Sequence, residues 1–167
     1  MSTRSVVHDT ITVERRLADV EPAVVFEAWA DPALRSQWDN PGDDFVVTEQ
    51  TQDFRVGGRQ TSRFGPPGDP RYWSDGQFLD IVPHRRIVSA GTMHDGSSVT
   101  SVTLFTVELM AAGSSTLLVL TDQSAFLDAF ETPADRRSGW ETIVDRLTRF
   151  VSSSGRPTAS PSSPRST

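Results

Sequence analysis

Residues 132–151 read TPADRRSGWETIVDRLTRFV, and their reading decides the fold. Thr132 can cap free N–H groups, Pro133 suits the first helical position, and Asp135 suits the positive end of the helix dipole. Trp140, Ile143, Val144, Leu147, Phe150 and Val151 then recur at helical spacing, so one face of a long C-terminal helix must be buried. Beyond Val151 the chain turns to Ser, Pro and Thr through Thr167, a composition that cannot offset the entropy of ordering. Residues 152–167 are therefore expected to be a disordered tail, residues 1–5 a flexible N-terminus, and residues 6–151 a single domain.

The stretch before this helix is strand-like from Phe45 to Leu120, with runs at Phe45–Phe54, Arg59–Phe64, Arg71–Val82, Arg85–His94, Val99–Met110 and Ser115–Thr121. Gly57-Gly58, the Gly/Pro-rich segment from Gly65 to Pro70, Pro83-His84, Asp95-Gly96 and Ala112-Gly113-Ser114 supply the turns of an antiparallel meander. A further strand is expected from Val6 to Leu17. Pro22 then opens a short helix with Val25, Phe26 and Trp29 on one side, and Asp31 caps a second carrying Leu34 and Trp38.

A sheet of about seven antiparallel strands must bury one face, and the C-terminal helix is the large apolar partner. The expected fold is α+β: a curved sheet gripping a long helix, with two short helices after the first strand. One helix cannot fill the concave side of such a sheet, so an internal cavity is expected.

Composition narrows the chemistry. The formal charge is −6, all 16 basic residues are Arg, and there is no Cys. An acidic chain without a basic face argues against nucleic acid. The absence of Lys and Cys removes Schiff-base, thiol and disulfide chemistry. His8, His84 and His94 lack paired metal-ligand spacing, so no metal is expected. No Gly-x-Ser-x-Gly elbow or dinucleotide fingerprint occurs, and no cofactor is expected; Gly57-Gly58 reads as a β-turn rather than a phosphate loop. The N-terminus lacks the apolar run of a signal peptide and no later stretch approaches a membrane span, which makes the cytoplasm the expected compartment.

Glu14-Arg15-Arg16, Pro22 with Val25-Phe26-Glu27-Ala28-Trp29, and Asp31-Pro32 resemble the opening of the START-related (SRPBCC, Bet v 1-like) superfamily. Within it, the bacterial branch resembling the activator of the heat-shock-protein-ninety ATPase is the nearest fit. The likeness continues through Phe54–Arg59, Gly76–Pro83, Arg86-Ile87-Val88, Ser124–Asp128 and Gly139-Trp140 to Leu147, and so covers residues 6 to 151 in order. It implies the helix-grip fold; a fold alone does not fix a function.

Strand alternation points Ile11, Val13, Ile87, Ser89, Met93, Ser101, Thr103, Phe105, Val107, Leu118, Leu120 and Asp122 inward, with Glu108 and Thr121 outward. Candidate ligand contacts are Trp38, Phe78, Ser89, Gly91, Met93, Ser101, Thr103, Phe105, Leu118 and Leu120. Relatives often carry aromatic residues on the strand that here runs from Ile87 to Met93, so the small Ser89 and Gly91 are expected to widen the cavity. Trp29, Trp38 and Trp140 read first as core anchors. Asp122 is costly inside an apolar cavity unless paired, and is either a site residue or a strand-end carboxylate bonded to the next loop. Asp122, Tyr72 and Arg59 form the candidate catalytic set, with Arg63 and Asp75 near the polar end; superfamily cyclases use such residues for aldol closure and dehydration. The first expectation is binding of a small hydrophobic or amphipathic molecule. A cyclase or dehydratase in the same pocket is the second, and a chaperone-activating module the third. A chaperone partner is disfavoured for a domain of this size, and a homodimer is left open.

Overall fold

The computed structural model describes residues 4–154. Seven strands form one antiparallel sheet: β1 (Val6–Leu17), β2 (Val46–Gln52), β3 (Arg59–Gly65), β4 (Tyr72–Val82), β5 (Arg86–Asp95), β6 (Ser98–Ala112) and β7 (Ser115–Leu127). Their order is β1-β7-β6-β5-β4-β3-β2, so the strands from β2 to β7 form a meander and β1 closes the far edge beside β7. The helices are α1 (Pro22–Ala30), α2 (Pro32–Arg35) and α3 (Pro133–Ser154). Together they make the expected helix-grip arrangement.

Local chemistry sets the helix ends. The Asp31 carboxylate accepts from the Ala33 and Leu34 N–H groups and starts α2. At α3, the Asp135 N–H donates to Thr132 Oγ1 at 3.1 Å while Asp135 Oδ2 accepts from the Thr132 N–H and hydroxyl. This is a reciprocal capping box with Asp in the place of Glu. Burial alternates with turn period along α3: Ile143, Val144, Leu147 and Val151 are buried, and they join Ile11, Val13, Leu17, Leu118 and Leu120 from β1 and β7 in the core.

Three boundaries differ from expectation by more than two residues. The second short helix ends at Arg35, and Trp38 sits in the turns that follow, its indole N–H donating to the Ala28 carbonyl at 3.1 Å. The seventh strand runs six residues past Thr121, to Leu127, because β1 and β6 pair both its edges and override the weak strand preference of Asp122, Gln123 and Ser124. The last helix continues through Ser152–Ser154, three residues into the expected tail; the rest of that tail, and residues 1–3 of the N-terminus, lie outside the described residues.

One crease shapes the concave side. Gly76 of β4 pairs with Gly91 of β5, and a Cβ on Gly91 would lie 2.7 Å from Gly76 Cα and inside contact of the Asp75 carbonyl. The two strands approach closely because neither carries a side chain there.

Candidate functional site

Between α3 and the concave face of the sheet lies a cavity of about 630 Å³. Aromatic rings dominate two parts of its wall. Phe45, Phe64 and Tyr72 cluster with centroids 5.6–6.3 Å apart, and Phe105 stacks on Trp140 at 4.6 Å with planes 19° apart. Two polar clusters complete it.

The deeper cluster centres on Asp122, which is fully buried in the middle of β7. Its Oδ2 accepts from Arg136 Nη1 at 3.0 Å and from the Trp140 indole N–H at 2.8 Å, and its Oδ1 accepts from the Ser124 hydroxyl. Arg136 and Trp140 are one turn apart on α3, so a single helix face delivers both donors. The Arg136 guanidinium also donates to Thr103 and Ser101 of β6 and, through Nε and Nη2, to both Glu131 carboxylate oxygens at 2.7 Å. Burial works against this charge, but Glu131 and Asp122 outweigh it and hold the Arg136 pKa above its ordinary value. Asp122 therefore ties the sheet to the helix, and the strand-end reading of this residue is replaced.

The second cluster lines the cavity near α2. Arg35 donates through Nε to Asp39 at 2.8 Å and through Nη1 to Gln52 and Gln60 at 2.7 and 2.9 Å, while its guanidinium lies 5.1 Å from the Trp29 ring. Gln50 donates to the same Asp39 carboxylate at 2.9 Å.

Of the residues singled out from sequence, Tyr72, Ser89, Gly91, Met93, Thr103, Phe105 and Asp122 line the cavity together. Trp38, Phe78, Ser101, Leu118 and Leu120 do not line it. Trp38 packs edge-on to Trp29, Phe78 packs on Phe54, Leu118 and Leu120 belong to the core with Val144 and Leu147, and Ser101 is covered by its bond to Arg136. Arg59 is also outside. It alternates away from the inward-facing Gln60 and Ser62, stays 71% exposed, and pairs with Asp75 at 2.6 Å. The three candidate catalytic residues are thus not assembled. Trp140, read as a core anchor, packs against the core and also forms half-buried cavity wall. Gly91 is small for a backbone reason as well as a cavity one.

Sequence reasoning missed Arg136, Glu131, Arg35, Asp39, Gln50 and Gln60. The available signal was spacing: Arg136 and Trp140, like Arg35 and Asp39, stand at i and i+4 beside otherwise apolar helix faces. Among the described residues, no cluster of His, Asp or Glu is arranged to hold a metal ion, and no helix is long and apolar enough to cross a membrane.

A curved antiparallel sheet gripping one long helix over an internal cavity defines a helix-grip domain of the SRPBCC class. The family model described as Activator of Hsp90 ATPase homolog 1-like protein matches residues 19–152. The chain belongs to this family. A solved structure of an uncharacterized protein from Rhizobium leguminosarum is 31% identical, with a TM-score of 0.82, covering 91% of this chain and 99% of that one. The Mll3558 protein of Rhizobium loti is 39% identical, with a TM-score of 0.79, covering 88% and 99%. The AHSA1-like protein of Aeromonas hydrophila is 23% identical, with a TM-score of 0.67 and coverage of 93% and 100%, and shows the shared fold. No curated protein matches the chain.

Proposed function

We propose that the domain binds a small hydrophobic or amphipathic molecule in the cavity under α3. The observation that carries this reading is the 630 Å³ space walled by Phe45, Phe64, Tyr72, Phe105 and Trp140. Its volume lies within the roughly 300–1,000 Å³ usual for small-molecule sites, and aromatic walls with a few placed polar groups are the usual lining. Turnover has less support. Asp122, the candidate base, already accepts three hydrogen bonds and is paired with Arg136, while Arg59 lies on the other side of the sheet.

Native mass spectrometry of the purified protein, followed by denaturing extraction, tests the reading. A defined small molecule released in near-stoichiometric amount is the expected result. Its re-addition should raise the thermal midpoint saturably and perturb Trp140 fluorescence, because a ligand selective for the native state stabilises it by mass action. Trp140→Phe should keep binding but lose the added fluorescence response. Co-purification of a chaperone, with indifference to substitutions at Phe105 and Trp140, would replace cavity binding with the ATPase-activating role that the family description names.

A further inference from the structure

The charge of the cavity wall is lopsided. Two guanidinium groups, of Arg35 and Arg136, stand against five carboxylates: Asp39, Asp95, Asp122, Glu131 and Asp135. Arg71 pairs with Asp95, but four carboxylates still face the two guanidinium groups.

Neither guanidinium offers a free fork. Arg136 has five N–H donors, and all five are directed at protein oxygens: two at Glu131 and one each at Asp122, Thr103 and Ser101. Arg35 spends Nε and Nη1 on Asp39, Gln52 and Gln60 while its plane rests near Trp29. Glu131 holds Arg136 through two parallel bonds of 2.7 Å, the geometry by which an arginine would hold the carboxylate or phosphate of a ligand. Glu131 belongs to the segment between β7 and α3. Asp128 and Ala129 there take positive φ values of 50° and 57°, and the neighbouring Phe130 is half exposed while touching the cavity.

Building on the binding role proposed above, we infer that Glu131 is a built-in occupant of the Arg136 fork, and that the cavity consequently selects neutral or cationic amphipathic molecules and rejects acids. An incoming anion finds the Arg136 donors all spent and only Nη2 of Arg35 left without a protein partner, and it meets carboxylates in a partly desolvated space where like charges are costly. A neutral or ammonium-bearing molecule meets neither penalty.

Three probes sharing one naphthalene ring test this by isothermal calorimetry at neutral pH: 2-naphthalenemethanol, 2-naphthalenemethylammonium and 2-naphthoate. The alcohol and the ammonium should bind, and the carboxylate should bind at least about tenfold more weakly. In Glu131→Gln, which retains size but removes the competing charge, naphthoate should gain about tenfold while the alcohol changes little. Naphthoate binding wild type as tightly as the alcohol overturns the inference, as does a folded Glu131→Gln protein that gains nothing for naphthoate while still binding the alcohol. The wild-type series decides alone if that variant does not fold. Failure of all three probes to bind would count against cavity binding itself, and the selectivity falls with it.

Discussion

Two Arg–Asp pairs sit on opposite sides of the same sheet. Arg59 and Asp75 meet at 2.6 Å on the outer side of β3 and β4, with Arg59 71% exposed; Arg136 and Asp122 meet at 3.0 Å inside, with Arg136 only 10% exposed and Asp122 fully buried. The shorter pair is the weaker one. In water, Coulomb attraction is screened and two long side chains lose entropy to hold one geometry, so distance says little about worth. Inside, each partner is committed, because removing one leaves a charge that water cannot reach.

The contrast is open to test by substitution. Asp122→Ala should have the largest effect, lowering unfolding stability by about 3–5 kcal/mol in urea titrations, since it strips Arg136 of a buried partner and leaves the Trp140 N–H unpaired. Combining it with Arg136→Met should recover part of that loss; if the double variant is no more stable than Asp122→Ala, the cost did not come from the orphaned charge. Thr132→Ala should cost about 1 kcal/mol by removing the α3 cap. The Asp135 partner adds a pH dependence. Bonds from Thr132 hold the Asp135 pKa below its usual value, so its contribution is complete at neutral pH and fades as pH falls through the ordinary carboxylate value of about 4 and on through the lower folded one. Thr132→Ala should flatten that acid-side slope. Arg59→Ala should leave the thermal midpoint unchanged within error; a clear fall would show that the outer pair matters as much as the inner.

The fold was legible because its signals are local. Cap, proline and apolar spacing from Thr132 to Val151 define α3, and turn residues such as Gly57 and Gly96, both at positive φ, punctuate the strands. Strand phase was legible too: Ser89, Thr103, Phe105 and Asp122 all face inward, and the register shifts at Phe78/Asp80 and Met93/His94 lie outside the run from Ser89 to Met93. The partners were not legible. Asp122 can be suspected from strand alternation alone, but its mate is on α3, and a helix's rotation over a sheet is set by packing that no short window contains. Arg59 failed for a different reason: a residue type suited to chemistry was chosen without fixing which side of β3 it occupies. Depth failed as well, since Leu118 and Leu120 point inward yet α3 and the core, not the cavity, receive them.

The glycine pair across β4 and β5 divides the cavity wall into positions that can drift and one that cannot. Ser89 borders the cavity, so a larger side chain there is expected to reshape what the domain holds by filling cavity space. At Gly91 even a methyl group must push the neighbouring backbone away, so change at that position needs a compensating shift in β4. Substitutions that change what the cavity holds are therefore easier at Ser89 than at the crease.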